Sequence, residues 1–380
     1  MLLSVGSRGL SCGRRIRIRG AWGSPAPAPA PTPTPTPAPA PAPAPTPVPA
    51  PAPAPSRGAR PGNGIPSAAT LAFIAAIQLF SRHESEQENP EDEIILLIKK
   101  AKLSAMMMEL EDADRYLHQA LKLAQQSQNS QAVTYTFIQM ANLAFLRGDL
   151  LNAEKLFKAA MSQLLQSGTP EDDNAMIEMS LKLCNIYVST EQHGLAVEGY
   201  KWCIETLEEK VQREKDVPEV SLSAAEKANT RLLLGMCLDS CARYMTSQKQ
   251  LVLAESMYQQ ALAISQQVQG ETHPQTVVLM NDLATVLDMT GHQDRAYEYA
   301  TRASNLARET SHPDQCVILS NLARVLMHRG DYHEARCVYE EALTLAESSA
   351  DKPVIQHIRN GMEELQAKAQ QSQEVRESTH

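Results

Sequence analysis

From about residue 92 to residue 349, apolar residues return at the three- and four-residue intervals of a single helical face. One pattern occurs six times: Ala, three residues, an aromatic or Leu, two residues, Ala. It stands at Ala113–Leu117–Ala120 and Ala153–Phe157–Ala160, softens at Ala196–Tyr200–Cys203, and returns at Ala254–Tyr258–Ala261, Ala296–Ala300–Ala303 and Ala335–Tyr339–Ala342. The spacing puts all three side chains on one side of a helix. Twelve residues before each first alanine stands another small residue: Ala101, Ala141, Cys184, Ala242, Ala284 and Ala323. Small residues let a neighbouring helix close in, and the larger middle residue fills the space beside the contact. Turns such as RGDLLNA at 147–153, TGHQDRA at 290–296 and HRGDYHEA at 328–335 separate the two helices. Glycine there stops the first helix in the left-handed conformation, and Asp149 and Asp331 are placed to cap the second. The pattern predicts an all-α chain of about six helix pairs over 92–352. The fourth pair is loose, with an insertion expected around Met245–Leu253. A capping helix over 353–370 would turn Ile355, Ile358, Met362 and Leu365 to the last pair, followed by a disordered tail at 371–380.

Two stretches, FIQMANLAFLRGDLLNAEKLFKAAM and LSNLARVLMHRGDYHEARCVYEEAL, carry the small-residue, turn and Ala–aromatic–Ala positions together. In these residues the chain resembles the tetratricopeptide repeat family. The resemblance implies a right-handed superhelix in which the helix pairs share one continuous core. Successive first alanines lie 40, 43, 58, 42 and 39 residues apart, longer than the usual repeat of about 34. With ETHPQT and TSHPDQ leading into helices, the long units look like the kinesin-light-chain branch. His273 and His312 read as N-cap neighbours, with Pro274 and Pro313 in the first helical turn, rather than as ligands.

The N-terminal part differs in composition. Residues 1–83 hold eight arginines, no lysine and no acidic residue; since the whole chain is −9, the remainder carries −17. So acidic a body is unsuited to neutralising nucleic-acid phosphates. Residues 1–24, Arg- and Ser-rich without a carboxylate, have the composition of a mitochondrial presequence; a disordered basic tail is the alternative. Residues 25–60 contain proline at every odd position from Pro25 to Pro55, which excludes helix and sheet and leaves an extended or disordered spacer. Residues 61–81 carry no charge, but their continuous apolar part runs only from Ala68 to Phe80, short of the roughly 20 residues of a membrane span. They are a short candidate transmembrane segment, an apolar stretch docked on the body, or an interfacial anchor. Residues 82–91 form a charged hinge.

No metalloprotease, nucleophile-elbow or phosphate-loop motif is present, so no catalytic residue, cofactor or small-molecule substrate is expected. Cys237 and Cys241 lie one helical turn apart without a second ligand pair, which points to core packing rather than metal. Glu208–Glu209 and Asp172–Asp173 read as solvated faces, and Met106–Met107–Met108 as gap fillers at a helix end. Binding is therefore expected on the concave face, lined by the first helix of each pair. Aligned turn to turn, one inward position falls at Lys102, Asn142, Asn185, Arg243, Thr285 and Arg324. Of these, Lys102, Asn142, Asn185, Arg243 and Arg324 are the candidate peptide-binding residues, with asparagine amides for backbone and arginines for acidic side chains.

Four stretches, MANLAFLRGDLLNAEKLFKA, ANTRLLLGMCLDSCARY, GETHPQTVVLMNDLAT and VLSNLARVLMHRGDY, are similar to a mitochondrial branch of the family. That resemblance implies a non-enzymatic scaffold at the inner membrane that supports assembly and upkeep of respiratory complex III, with the Rieske iron–sulfur subunit among its partners and its fragments cleared. A cytosolic cargo adaptor of the kinesin-light-chain kind is the alternative; such an adaptor carries a heptad coiled coil, which the N-terminal part lacks. Residues 1–83 fused to a fluorescent protein should accumulate in mitochondria, and cytosolic fluorescence of that fusion would reverse the choice.

Overall fold

The computed structural model describes residues 89–215, 217–218 and 221–378. The presequence, Pro-Ala and apolar segments lie outside them. The chain divides into two units, and the one holding Ile94–His380 carries the repeats. Its elements are helices in hairpin pairs: α1 Pro90–Met106 with α2 Leu110–Gln126, α3 Ser130–Arg147 with α4 Leu150–Gln166, and α5 Asn174–Ser189 with α6 His193–Lys215. They continue as α7 Ala224–Ser247 with α8 Leu251–Gln269, α9 Pro274–Met289 with α10 Gln293–Glu309, and α11 Gln315–Arg329 with α12 Tyr332–Ser348; α13, Lys352–Ser378, closes the series. No strand occurs among the described residues.

Every residue of the six Ala–aromatic–Ala triplets is at most 3% exposed, and so are all six small residues on the first helices. Helices α5 to α13 share one apolar core, and α3 and α4 pack with the other face of α5 around Phe157 and Ile186. At the front, Ala101, Ala113 and Leu117 meet Leu143, while Ile94 and Ile98 meet Ala120 and Ala124. Each fully buried large side chain contributes roughly 1.5–3 kcal/mol. The first helices of successive pairs also touch one another, α5 with α7, α9 with α11 and α11 with α13.

The hairpin turns follow the sequence closely. Gly148 and Gly330 end α3 and α11 in the left-handed conformation, at φ 80° and 89°. Asp149 caps α4 by accepting the Asn152 N–H at 3.3 Å. Asp331 does not cap α12; its carboxylate lies 3.6 Å from Arg329 instead. His273 caps α9, its Nδ1 accepting the Gln275 N–H at 3.2 Å ahead of Pro274 at the first turn. His312 behaves differently, because α11 starts only at Gln315. Its Nδ1 accepts the Asp314 N–H at 3.0 Å, so its Nε2 donates to the Pro274 carbonyl at 3.2 Å and ties two hairpins together.

Three expectations need correction. There is no insertion around Met245–Leu253: α7 runs to Ser247 and α8 begins at Leu251. The wide third spacing comes from α6 at 23 residues, α7 at 24 residues and the connection between them. The C-terminal helix continues through the expected tail to Ser378, since QQSQEVRES contains neither Gly nor Pro to stop it. The three methionines fill no gap: Met106 is 81% and Met107 49% exposed at the first hairpin turn. On α13, Ile358 and Leu365 are buried as read and Val354 joins them.

Gly361 sits against Tyr339 of α12. A Cβ there would stand 2.6 Å from Tyr339 Oη and 2.8 Å from its Cζ, and Tyr339 is 2% exposed. Gly361→Ala gains about 1 kcal/mol of helix propensity against an overpacking cost of about 1–3 kcal/mol. The melting temperature should fall, and Tyr339→Leu in the same chain should return part of the loss. A rise with Gly361→Ala alone would show that α13 can stand off from α12.

Candidate functional site

Because first helices touch across pairs, they line the inner side of the stack, and their residues one position past the small residue face along it. Lys102 on α1 donates to the Tyr135 hydroxyl of α3 at 2.7 Å and sits over its ring. The Asn142 amide oxygen of α3 accepts Lys182 Nζ of α5 at 2.8 Å, and Lys182 also holds Glu178. Lys102 and Asn142 stay partly exposed. Asn185 is buried at 9%, and its amide oxygen accepts the Tyr200 hydroxyl at 2.6 Å.

The two arginines are not free cations. Arg243 pairs with Asp239 one turn earlier on α7. Arg324 lies 3.6 Å from Asp288 of α9 through Nε and donates to Thr285 at 3.3 Å. Asp288 also holds His328 Nδ1 at 2.8 Å. The carboxylates that hold these arginines, Asp239 and Asp288, were not singled out from sequence. Asp239–Arg243 is a helical i, i+4 pair and could have been seen. Asp288 and Arg324 meet only through the docking of neighbouring hairpins.

The comparisons with known proteins fit this architecture. Models described as tetratricopeptide repeat match residues 241–309 and 316–349. Over 330 residues the chain is 50% identical to "Tetratricopeptide repeat protein 19, mitochondrial" of Homo sapiens, spanning 83% of this chain and 86% of that one. The chain belongs to the mitochondrial tetratricopeptide repeat protein 19 family. The Rattus norvegicus member is 51% identical, over 79% of this chain and 84% of its own. The fold alone is shared with the apo form of RapI (TM-score 0.56, 15% identity, 79% and 80% of the two chains). It is shared likewise with the apo quorum sensor NprR from B. thuringiensis (TM-score 0.54, 15% identity, 81% and 80%).

In this family member the remaining candidates resolve as follows. Cys237 and Cys241 are buried in the core with Cys184 and Cys203, and burial pushes the Cys241 thiol up to about 12. Among the described residues no group of three or more His, Cys, Asp or Glu converges to hold a metal ion. Glu208 and Glu209 are exposed. Asp172 and Asp173 are structural: Arg213 donates to Asp172 at 2.7 Å and holds its carboxyl below the usual range, while Asp173 caps α5 through the Ala175 N–H. No described helix is long and apolar enough to cross a membrane; the candidate segment 61–81 lies outside the described residues.

Electrostatic tension collects between α7 and α9. Burial pushes the Asp282 carboxyl up to about 7; Arg243 pulls it down, and Asp239 adds to the upward push. Burial also raises Asp239, with Arg243 opposing. The folded chain keeps the Asp282 proton while the unfolded chain loses it near the ordinary value of 3.8. Asp282 therefore costs stability as pH rises from about 4 to 7, and the cost is flat above that window. Asp282→Asn should raise the melting temperature little at pH 4 and by several degrees at pH 8, at about 2–4 °C per kcal/mol. A difference that does not change with pH would show that Asp282 titrates normally.

Proposed function

We propose that this chain is a non-enzymatic protein-interaction scaffold of the mitochondrial inner membrane. It would support assembly and maintenance of respiratory complex III, including turnover of Rieske iron–sulfur subunit fragments. The observation that carries this reading is the 50% identity over 83% of the chain to a relative whose name places it in mitochondria. That name also favours the reading over a cytosolic cargo adaptor. The fold supports a binding role: a stack of hairpins presents a long inner face of side chains, suited to an extended polypeptide.

On this reading Lys102, Asn142, Asn185, Arg243 and Arg324 mark the track of the bound segment. Their surroundings divide the work. Lys102 and Asn142, partly exposed, can exchange their present partners for a ligand's carbonyls and amides. Asn185, Arg243 and Arg324 are held by Tyr200, Asp239 and Asp288 and set the shape of the track.

The test is immunoprecipitation of complex III subunits from mitochondria with the Lys102→Ala/Asn142→Ala chain. One charge-assisted bond contributes about 1.5–3 kcal/mol, so recovery should fall by about tenfold or more. Both side chains lie at the surface of the stack, so circular dichroism and melting should stay near those of the unsubstituted chain. Undiminished recovery by the folded variant would move the partner off this face.

A further inference from the structure

Between α7, α9 and the α10–α11 connection, the hydrogen bonds of the inner face do not close. Asp239 uses one oxygen, Oδ2, for both Arg243 and the Gln275 amide at 3.4 Å. Its Oδ1, on a side chain only 3% exposed, has no partner. Arg243 Nε is buried and unpartnered beside it. Asp314, at the start of α11, has Oδ2 buried without a partner, and Asp282 receives the neighbouring Asn281 amide at 3.2 Å. Buried polar atoms are ordinarily bonded. An ionised carboxylate only accepts, so what the unpartnered oxygens of Asp239 and Asp314 lack is donors.

Charge points the same way. Asp239 pairs with the guanidinium of Arg243, and Asp282 feels Arg243, Asp239 and Asp314 through a poorly screened interior. The missing partner is thus cationic and rich in donors. It is not a metal ion, since no described group of three ligand side chains comes close enough together to hold one. Spread acceptors instead suit a planar guanidinium, whose five N–H groups reach separated oxygens at once.

We infer that this part of the inner face is a socket for an arginine side chain of the bound polypeptide, accepted by Asp282 and Asp239. The inference rests on the proposed scaffold reading and deepens it. It also reverses the charge expected of the partner at this point: Arg243 is occupied by Asp239, and the other titratable groups that act on Asp282 include the acid Asp314. Gln275, whose 3.4 Å contact is the longest in the cluster, is the side chain that yields to the ligand.

Binding and protonation are linked at this site. The groups that face Asp282 are Asp239 and Arg243 from α7, Tyr258 from α8, Asn281 on its own helix and Asp314 from the α10–α11 connection. Of these only Arg243 carries positive charge, so the empty socket keeps a proton on Asp282 that the arriving guanidinium displaces. Affinity for an arginine-bearing segment therefore rises as pH climbs through 7.

The experiment uses the full chain and two labelled nonapeptides of alternating Ser and Ala, one with a central arginine and one with citrulline, its neutral isostere. By fluorescence anisotropy at pH 8, the arginine peptide should bind about tenfold more tightly than the citrulline peptide, a difference of about 1.4 kcal/mol. At pH 6 the preference should shrink below about threefold. Asp282→Asn should remove the preference at both pH values, whereas Glu298→Gln, an exposed acid on α10, should leave it intact. The peptide comparison on the unsubstituted chain stands even if Asp282→Asn does not fold. Equal binding of the two peptides at pH 8, or equal loss of preference with Glu298→Gln, overturns the socket and leaves the groove reading standing. Failure of both peptides to bind at millimolar concentration overturns the socket and the peptide groove together.

Discussion

The distance between two helix axes sets the rest of this structure. At each crossing within a hairpin a small residue on the first helix faces an Ala–large–Ala face on the second, and all of these residues are at most 3% exposed. The close approach leaves no room for a second large side chain. It is also why the middle residue can vary from Leu to Phe to Tyr: the crossing is fixed by the alanines, and the middle residue has only to fill the space beside it. Where even that residue is small, at Ala300, partly buried Tyr297 and Tyr299 pack against the same core. Dense interiors tolerate little change of volume. Gly199 and Gly361 obey the same constraint, each standing where a Cβ would strike a neighbour, Cys184 Sγ or the Tyr339 ring.

Once the outer sides of the first helices are committed to packing, their inner sides are what remains for polar residues. Along that face polar side chains from neighbouring hairpins come within bonding distance. Lys102 reaches Tyr135, Lys182 reaches Asn142, Asn321 reaches Asn281 at 3.0 Å, and His328 reaches Asp288. Each bond crosses from one hairpin to the next, so the row of polar residues fixes how successive pairs sit on one another. Apolar packing alone would tolerate sliding; a directional bond whose partners are buried, such as Asn321–Asn281, does not, since breaking it leaves an unpaired polar group at about 1–3 kcal/mol.

The helix pairs, their turns and the core alanines were legible in the sequence because each follows from a local rule: period, volume or φ. Gly148 and Gly330 stand where a left-handed residue is needed. What was not legible depends on contacts between distant residues. The extra length of the wide third spacing was placed around Met245–Leu253, where the turn holds no glycine; Lys249 takes the left-handed conformation there, at φ 60°. The extra length lies in α6 and α7, where no breaker marks it. Of the candidate row, position was legible and availability was not. Spacing shows that Arg243 and Arg324 face inward, but only the docked hairpins show the aspartates that neutralise them.

The balance of charge on the inner face then bears on selectivity. A buried ion pair such as Arg243–Asp239 contributes little net stability, since desolvation of both ions offsets their attraction. The additional carboxylate of Asp282 makes the folded state worse rather than better at neutral pH. Groups that weaken the fold without repaying it locally are found where a ligand completes them. An acidic body of −17 already discourages other acidic proteins. On the proposed reading, buried Asp239 with partly buried Asp282 and Asp314 extends that discrimination inward, where screening by salt is weaker and a mismatched charge costs more. On the proposed reading, the same surface that makes the empty stack less stable makes it more selective when filled.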